Sequence, residues 1–180
     1  MGGVSAEERD AILAFLQHRD EASFLRLYRP HAPYLLRMAL RLVGGRRADA
    51  EDSVQEAWLR ATRTLAVFRG DAAFRTWLSA ILINCCREMR RRPVFDELGT
   101  REEPSRNSEL AVDLERVIED LPDGYREVLV LHDLYGHTHA EIAALLEIDP
   151  GTSKSQLSRG RAALRKRWLR EAEPVQEARR

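Results

Sequence analysis

F-R-G-D-A-A-F-R-T-W-L-S-A-I-L-I-N-C-C-R-E-M-R-R-R, residues 68–92, reads as a short turn followed by one long helix. Phe74, Leu78, Ile81, Leu82, Cys85 and Met89 recur every three or four residues, the spacing of one buried helix stripe. Beside that stripe runs a second face of Thr76, Trp77, Ala80, Asn84, Arg87 and Arg91. An indole, an amide and two guanidiniums make an odd solvent face. They suit nucleic acid: a ring to stack on bases, an amide to bond base edges, cations for phosphate. The competing reading is a core tryptophan with arginines solvated near a helix C-terminus, and this helix alone leaves both open.

The rest of the chain is consistent with helix throughout. At 180 residues it is long enough for one domain or two small ones. Aromatics are 7%, and Ala, Leu, Arg and Glu outweigh Val and Thr, a mix that favours helix over sheet. No apolar run approaches the roughly 18–20 residues of a membrane span, so no membrane insertion is expected. The N-terminus lacks the basic start and apolar core of a signal peptide, and a cytoplasmic location is expected. The two cysteines, Cys85 and Cys86, are adjacent. Neighbours on a helix do not readily form a disulfide, so buried thiols are expected.

The formal net charge is zero, yet the charges are segregated. Residues 22–92 hold 14 Arg against 6 acidic residues, and residues 148–170 hold 7 Lys or Arg against Asp149 alone. Between them, residues 93–120 carry 9 acidic residues against 3 Arg. Two basic blocks separated by an acidic one point to two sites for one polyanion.

Taken in order, residues 5–19 predict a helix, and a second follows from Asp20-Glu21, with Pro30 and Pro33 interrupting it before Tyr34–Val43. Gly44-Gly45 stops it. Asp49 is the expected N-cap of a helix carrying Val54, Ala57, Trp58, Ala61 and Leu65 inward and Asp52, Gln55, Glu56 and Arg60 outward. Pro93 ends the long helix. The stretch 94–107, rich in Glu, Pro, Gly, Ser and Arg, reads as a flexible acidic linker. Asn107 or Ser108 caps the next predicted helix, with Leu110, Leu114, Val117 and Ile118 inside. Leu121-Pro122-Asp123-Gly124 is a turn, and Tyr125–Tyr135 a helix closed by Gly136. Thr138 and Glu141 fit a capping box. The short helix they start is followed by Asp149-Pro150, an N-cap with proline at the first helical position. The last helix is expected to run to about Trp168.

A capped short helix, a tight turn and a basic helix make a helix-turn-helix. On the basic helix Leu157, Gly160, Leu164 and Trp168 face the core. The opposite side carries Ser155, Ser158, Arg159 and Ala162, flanked by Lys154 and Arg165. Small and polar residues around one arginine suit a major groove. Arg161, Lys166 and Arg167 suit phosphate. Glu147 stands in the turn, where a left-handed backbone costs a non-glycine residue about 1 kcal/mol.

The chain as a whole resembles the compact, extracytoplasmic-function type of RNA polymerase sigma factor. The resemblance rests on D-S-V-Q-E-A-W (52–58), F-R-G-D-A-A-F-R-T-W-L (68–78) with Asn84, L-P-D-G-Y-R-E-V (121–128) and A-E-I-A-A-L-L-E-I-D-P-G-T-S-K-S-Q-L-S-R-G-R-A-A-L-R (140–165), in order and spacing. It implies an all-α protein of two small helical domains, regions 2 and 4, joined by a flexible linker. The corresponding boundaries are 1–93, a linker at 94–107, 108–172 and a tail at 173–180. In the same terms Asp52, Gln55 and Glu56 bind the clamp coiled coil of the largest polymerase subunit. The loop from Phe68 through Gly70, Asp71 and Ala72 to Phe74 captures an unstacked base of the minus-ten element. Trp77, Asn84, Arg87 and Arg91 extend that surface, and Lys154, Ser155, Ser158 and Arg159 read the minus-thirty-five element. Three positions depart from the family pattern: Glu147 at the turn glycine, Ser153 where an apolar residue usually packs, and Gln156 where a basic residue is frequent. The implied partners are core RNA polymerase, promoter DNA and an anti-sigma factor.

Two other classes compete. A stand-alone helix-turn-helix regulator accounts for residues 139–168 but leaves the Phe68–Arg92 face without a task. An enzyme or metal protein is suggested by His132-Asp133 with His137 and His139, yet no fourth ligand is evident and capping or surface histidines explain them. The expectation is therefore no catalytic residue, no metal and no cofactor.

Overall fold

The computed structural model describes residues 4–91 and 114–177, with side chains to residue 170. The expected linker at 94–107 and the caps Asn107 and Ser108 lie outside the described residues, as does Leu110. Among the described residues there is no strand. The chain divides into two compact units, Met1–Leu40 with Ala48–Phe95, and Arg41–Arg47 with Asp96–Arg180.

The first unit is built on four helices. Helix α1 (Ala6–His18) opens on a complete capping box. The Ser5 hydroxyl accepts from the Glu8 N–H, and the Glu8 carboxylate accepts from the Ser5 N–H at 2.9 Å. Helix α2 runs without a break from Glu21 to Leu42, with Pro30 and Pro33 inside it. The expected interruption does not occur. Pro30 and Pro33, and Arg26 and Arg29 whose carbonyls lose their partners, are all exposed, so the loss falls on the solvent side of the helix, where it costs least. Helix α3 (Arg47–Thr64) begins two residues before Asp49, which sits in its first turn instead of capping it. A 3₁₀ turn (Leu65–Val67) and the loop that follows lead into α4 (Phe74–Arg91).

Helix α4 buries more than a stripe. Phe74, Leu78, Leu82 and Cys85 are buried as the spacing requires, but so are Ser79, Ile83 and Cys86. Ile81 and Met89 are half-buried. The polar Ser79 is accommodated because its hydroxyl donates to the Arg75 carbonyl at 2.8 Å. Cys85 and Cys86 are free and buried. Burial pushes their thiols up to about 11 and about 12.

The second unit contains α5 (Leu114–Glu119), α6 (Asp123–Leu129), α7 (His139–Leu146) and α8 (Pro150–Glu177). Its core is Val117, Ile118, Leu121, Val128, Leu129, Leu131, Ile142, Leu146 and Leu157. Arg126 is 5% exposed. Its guanidinium donates to the carbonyls of Leu121 and Glu119 at 2.9 and 2.8 Å and pairs with Asp123. It thereby serves carbonyls that the end of α5 leaves unpaired.

Three features of this unit differ from the sequence expectation. The helix expected to run to Tyr135 changes at Val130 into a π-helical turn (Val130–Leu134), where the Tyr135 N–H bonds five residues back to Val130. Helix α8 continues to Glu177 instead of ending near Trp168, so the expected tail at 173–180 starts within helix. Trp168, expected in the core, is 37% exposed.

Glu147 does adopt the left-handed backbone, at φ 55° and ψ 47°, closing α7 through its N–H to the Ala143 carbonyl. Replacing a strained non-glycine residue there relieves steric cost that exceeds the added entropy of the unfolded chain. Glu147→Gly is expected to stabilise the protein by about 0.5–1 kcal/mol, read as a rise in the urea unfolding midpoint. A fall would show that the Glu147 side chain contributes more than its backbone costs.

Candidate nucleic-acid interface

In the first unit the functional surface begins with the loop between the 3₁₀ turn and α4. Gly70 has φ +75°, a backbone that only glycine adopts without strain. The closest neighbour to a side chain there would be Val4, at 3.6 Å, so the chain ahead of α1 lies beneath the loop. Asp71 and Ala72 are exposed.

Four rings form a ladder under and beside this loop. The His31 imidazole meets the Phe74 ring edge-on, with centroids 5.3 Å apart. Phe74 stacks on Trp77 at 5.6 Å, and Phe68 lies 5.6 Å from Phe74 and 4.9 Å from Trp77. The inner rings are sealed: Phe74 is 1% exposed and His31 3%. The outer rings, Phe68 and Trp77, are half-buried. This corrects one sequence assignment. Phe74 was expected among the residues that touch DNA, but its ring is core and can only hold Phe68 and Trp77 in place. His31 escaped notice in the sequence, because one imidazole between two prolines carries no periodic signal.

The remaining members of the face are where helical spacing puts them. Thr76 and Asn84 are exposed, Arg87 half-buried and Arg91 exposed. Arg75 is also exposed and lies over the Tyr34 ring at 4.8 Å, a cation–π contact absent from the sequence reading.

On the α3 surface Asp52 and Gln55 are exposed and Glu56 is half-buried. Glu56 is not a free acid. It accepts from Arg60 Nε at 2.7 Å, while the Arg60 guanidinium forms two more bonds to Glu88 of α4 at 2.8 and 2.7 Å. Glu88, then Glu56, hold the Arg60 pKa above its ordinary value. Beside this surface, α2 and α3 leave an apolar groove of about 710 Å³. Phe24, Tyr28, Leu36, Val54, Trp58 and Leu59 line it, with Glu51 and Gln55 at its edge. Leu59 is 46% exposed, an apolar residue on the face the sequence reading took as polar.

In the second unit α7 opens on the expected capping box. The Thr138 N–H donates to the Glu141 carboxylate at 2.8 Å, and the Glu141 N–H returns to the Thr138 hydroxyl. Asp149 accepts from the Gly151 N–H at 2.7 Å at the start of α8. Lys154, Ser155, Ser158 and Arg159 are all exposed along one side of α8. The opposite side seats closely: a Cβ at Gly160 would come within 3.2 Å of the Tyr125 carbonyl oxygen. Gln156 is half-buried and turned toward Gly124, off the exposed line. Ser153 is fully buried, and its hydroxyl lies 2.9 Å from Nδ1 of His139. That bond is why a serine is tolerated at a packed position. Among the described residues no group of His, Cys, Asp and Glu is arranged to hold a metal ion.

Comparison with known proteins agrees with this geometry. Residues 27–93 match the family profile of Sigma-70 region 2, and residues 111–164 that of Sigma-70, region 4. The chain is 34% identical over 170 residues to the ECF RNA polymerase sigma factor SigM of Mycobacterium tuberculosis (strain H37Rv), covering 90% of this chain and 86% of that protein. It is 34% identical over 137 residues to the ECF RNA polymerase sigma-E factor of Escherichia coli (strain K12), covering 64% and 72%. Among solved structures it is similar to CnrH in complex with the cytosolic domain of CnrY, with a TM-score of 0.60, 26% identity, and 90% and 96% of the two chains covered. It is also similar to the sigma factor RpoE in complex with the anti-sigma factor NepR from Bartonella quintana. There the TM-score is 0.63 and the identity 27%, over 79% and 94% of the two chains.

The ring ladder makes a stability prediction. Phe74→Ala removes a sealed ring and should cost about 3–5 kcal/mol. Phe68→Ala removes a half-exposed one and should cost clearly less. Chemical denaturation of the two variants measures both, and equal costs would mean that Phe68 is as much core as Phe74.

Proposed function

The chain belongs to the extracytoplasmic-function RNA polymerase sigma factors, alternative sigma factors of transcription initiation, and on that premise we propose how its residues divide the work. The first unit binds core polymerase and the opened minus-ten strand, and the second reads the minus-thirty-five duplex. The observation that carries this reading is the α4 face: Trp77 rests half-exposed on Phe68, and exposed Asn84 follows two turns along. A base drawn from the duplex enters the Phe68–Phe74 loop, stacks on an outer ring and is read by polar groups such as Asn84. Gly70 permits the tight loop, and exposed Asp71 and Ala72 leave room for the base. Arg87 and Arg91 attract the phosphates that follow.

Asp52, Gln55 and Glu56 form the polymerase-binding surface in this reading. The apolar groove beside them supports it. A coiled coil of the polymerase clamp would bury Leu59 and Trp58 while its polar flank meets the Asp52 and Gln55 edge. Glu56, already held by Arg60, acts chiefly by fixing Arg60 and Glu88. On α8, Lys154, Ser155, Ser158 and Arg159 approach the major groove, with Arg159 the base-reading side chain. A regulatory partner is also proposed, since both similar solved structures are complexes, one of them with an anti-sigma factor. No helix among the described residues is long and apolar enough to cross a membrane, and we place the chain in the cytoplasm. The family is not a class of enzymes, and we assign no catalytic residue or cofactor.

Two experiments test the first unit. Asp52→Lys should weaken binding to core polymerase roughly tenfold without change in helical content. Unchanged affinity in a pull-down would reject the assignment of α3. The α4 face is tested by run-off transcription from a duplex promoter and from one already unpaired across the minus-ten element. Trp77→Ala and Asn84→Ala should both lose activity on duplex, each stack or base contact being worth about 1–3 kcal/mol. If Trp77 props the strands apart and Asn84 reads a base, the unpaired template rescues only Trp77→Ala. Full activity of both on duplex would reduce α4 to core and charge.

A further inference from the structure

Two histidines lie side by side at the junction of the helix-turn-helix, one of them the partner of the buried Ser153. His132 belongs to the π-helical turn and His139 is the first residue of α7. Their rings stack, with centroids 4.7 Å apart and planes tilted by 27°. The hydrogen bonds of both rings go through Nδ1: that of His132 is 2.8 Å from Asp133, that of His139 2.9 Å from the buried Ser153 hydroxyl. Arg161 of α8 donates to the Asp133 carboxylate at 2.9 and 2.6 Å. Lys154, on the exposed line of α8, is close enough to act on His139 electrostatically.

We propose that His132 and His139, with Lys154 and Arg161, form a binding site for the DNA backbone phosphate, one that takes up a proton when duplex docks. The proposal rests on the reading of α7 and α8 as the duplex-binding helix-turn-helix. In such a motif the first helix crosses the backbone while the second enters the groove. His139 begins that first helix, at the positive end of its dipole, beside the lysine that leads along the groove-facing line.

The charges explain why a proton is needed. In the free protein, partial desolvation first, then His132, Lys154 and Arg161, lower the affinity of His139 for a proton. Two stacked imidazoles cannot both be charged without repulsion. The carboxylates facing the site are already committed: Asp133 to Arg161 and His132, Glu141 to the Thr138 cap. His137, the third imidazole nearby, is half-buried, has its affinity for a proton lowered by that burial and lies 4.0 Å from Glu141. With His139 neutral, Lys154 and Arg161 supply the positive charge of the site, and Arg161 is already paired with Asp133. The phosphate restores the proton's stability, so His139 has a higher pKa bound than free. By linkage, duplex affinity is greatest at acid pH and falls as pH rises through the bound-state pKa. One proton changes affinity by at most about tenfold per pH unit.

The test uses the full chain assembled with core polymerase, and duplex DNA containing or lacking a minus-thirty-five element. Fluorescence anisotropy gives affinity between about pH 6 and about pH 8 at fixed ionic strength, and calorimetry in buffers of different ionisation enthalpy counts protons. Wild type should bind both duplexes more weakly at the higher pH, by about three- to tenfold more than His139→Asn does. That variant keeps a hydrogen-bonding group for Ser153 but does not titrate. It should also lose the proton uptake seen with wild type, and inorganic phosphate alone should produce none in either. Proton uptake that survives in His139→Asn, or a wild-type affinity independent of pH, overturns the proposal, leaving a pair of histidines that only packs. If the variant unfolds, wild-type proton counting decides alone, and zero uptake on duplex binding overturns it. If wild type fails to bind minus-thirty-five duplex at any pH, it is the helix-turn-helix reading itself that falls, and this site with it.

Discussion

The contact on which the first unit depends is the sealed ring of Phe74 against the edge of His31. It fixes where α4 begins relative to α2 and so fixes the loop that precedes it. A sealed aromatic ring contributes several kcal/mol through burial, far more than any exposed contact of the loop itself. Phe68 and Trp77 are thus positioned by a residue that never meets solvent. They gain their geometry from Phe74 and spend none of their own outer faces on it. Preorganisation of this kind leaves little ordering to be done for the base stacking proposed above.

In the second unit a comparable constraint is the absence of a side chain at Gly160. A Cβ there would sit 3.2 Å from the Tyr125 carbonyl oxygen, tighter than most such contacts, so glycine eases the close approach of α8. Seating that side of α8 tightly leaves Lys154, Ser155, Ser158 and Arg159 on the open side with no further adjustment. Both units follow the same scheme: one close interior contact sets the register of a helix, and the outward face inherits it.

Much of this was legible because it is local. The capping box at Thr138, the proline start of α8 and the exposed line from Lys154 to Arg159 are determined within a few residues of chain. What was not legible requires two distant pieces at once. The groove between α2 and α3 appears only when Phe24 and Trp58 meet. Ser153 looks like a packing defect until His139, fourteen residues earlier, supplies its partner. Pro30 and Pro33 mislead because the rule that prolines break helices assumes that the freed carbonyls are costly, and here they belong to exposed residues. The π-helical turn has no side-chain signature at all, and Trp168 shows the converse error, since helical spacing marks a face but not whether anything covers it.

The two buried thiols of α4 have a practical use that follows from their position. A thiol reacts with an alkylating reagent only as thiolate, and Cys85 and Cys86 are both enclosed and held far toward the neutral form. Modification must therefore wait for α4 to leave its place. With no other cysteine in the chain, the labelling rate reports the opening equilibrium of the first unit alone. The protein thus carries a native reporter that distinguishes loosening of its first unit from loosening of its second, with no added label.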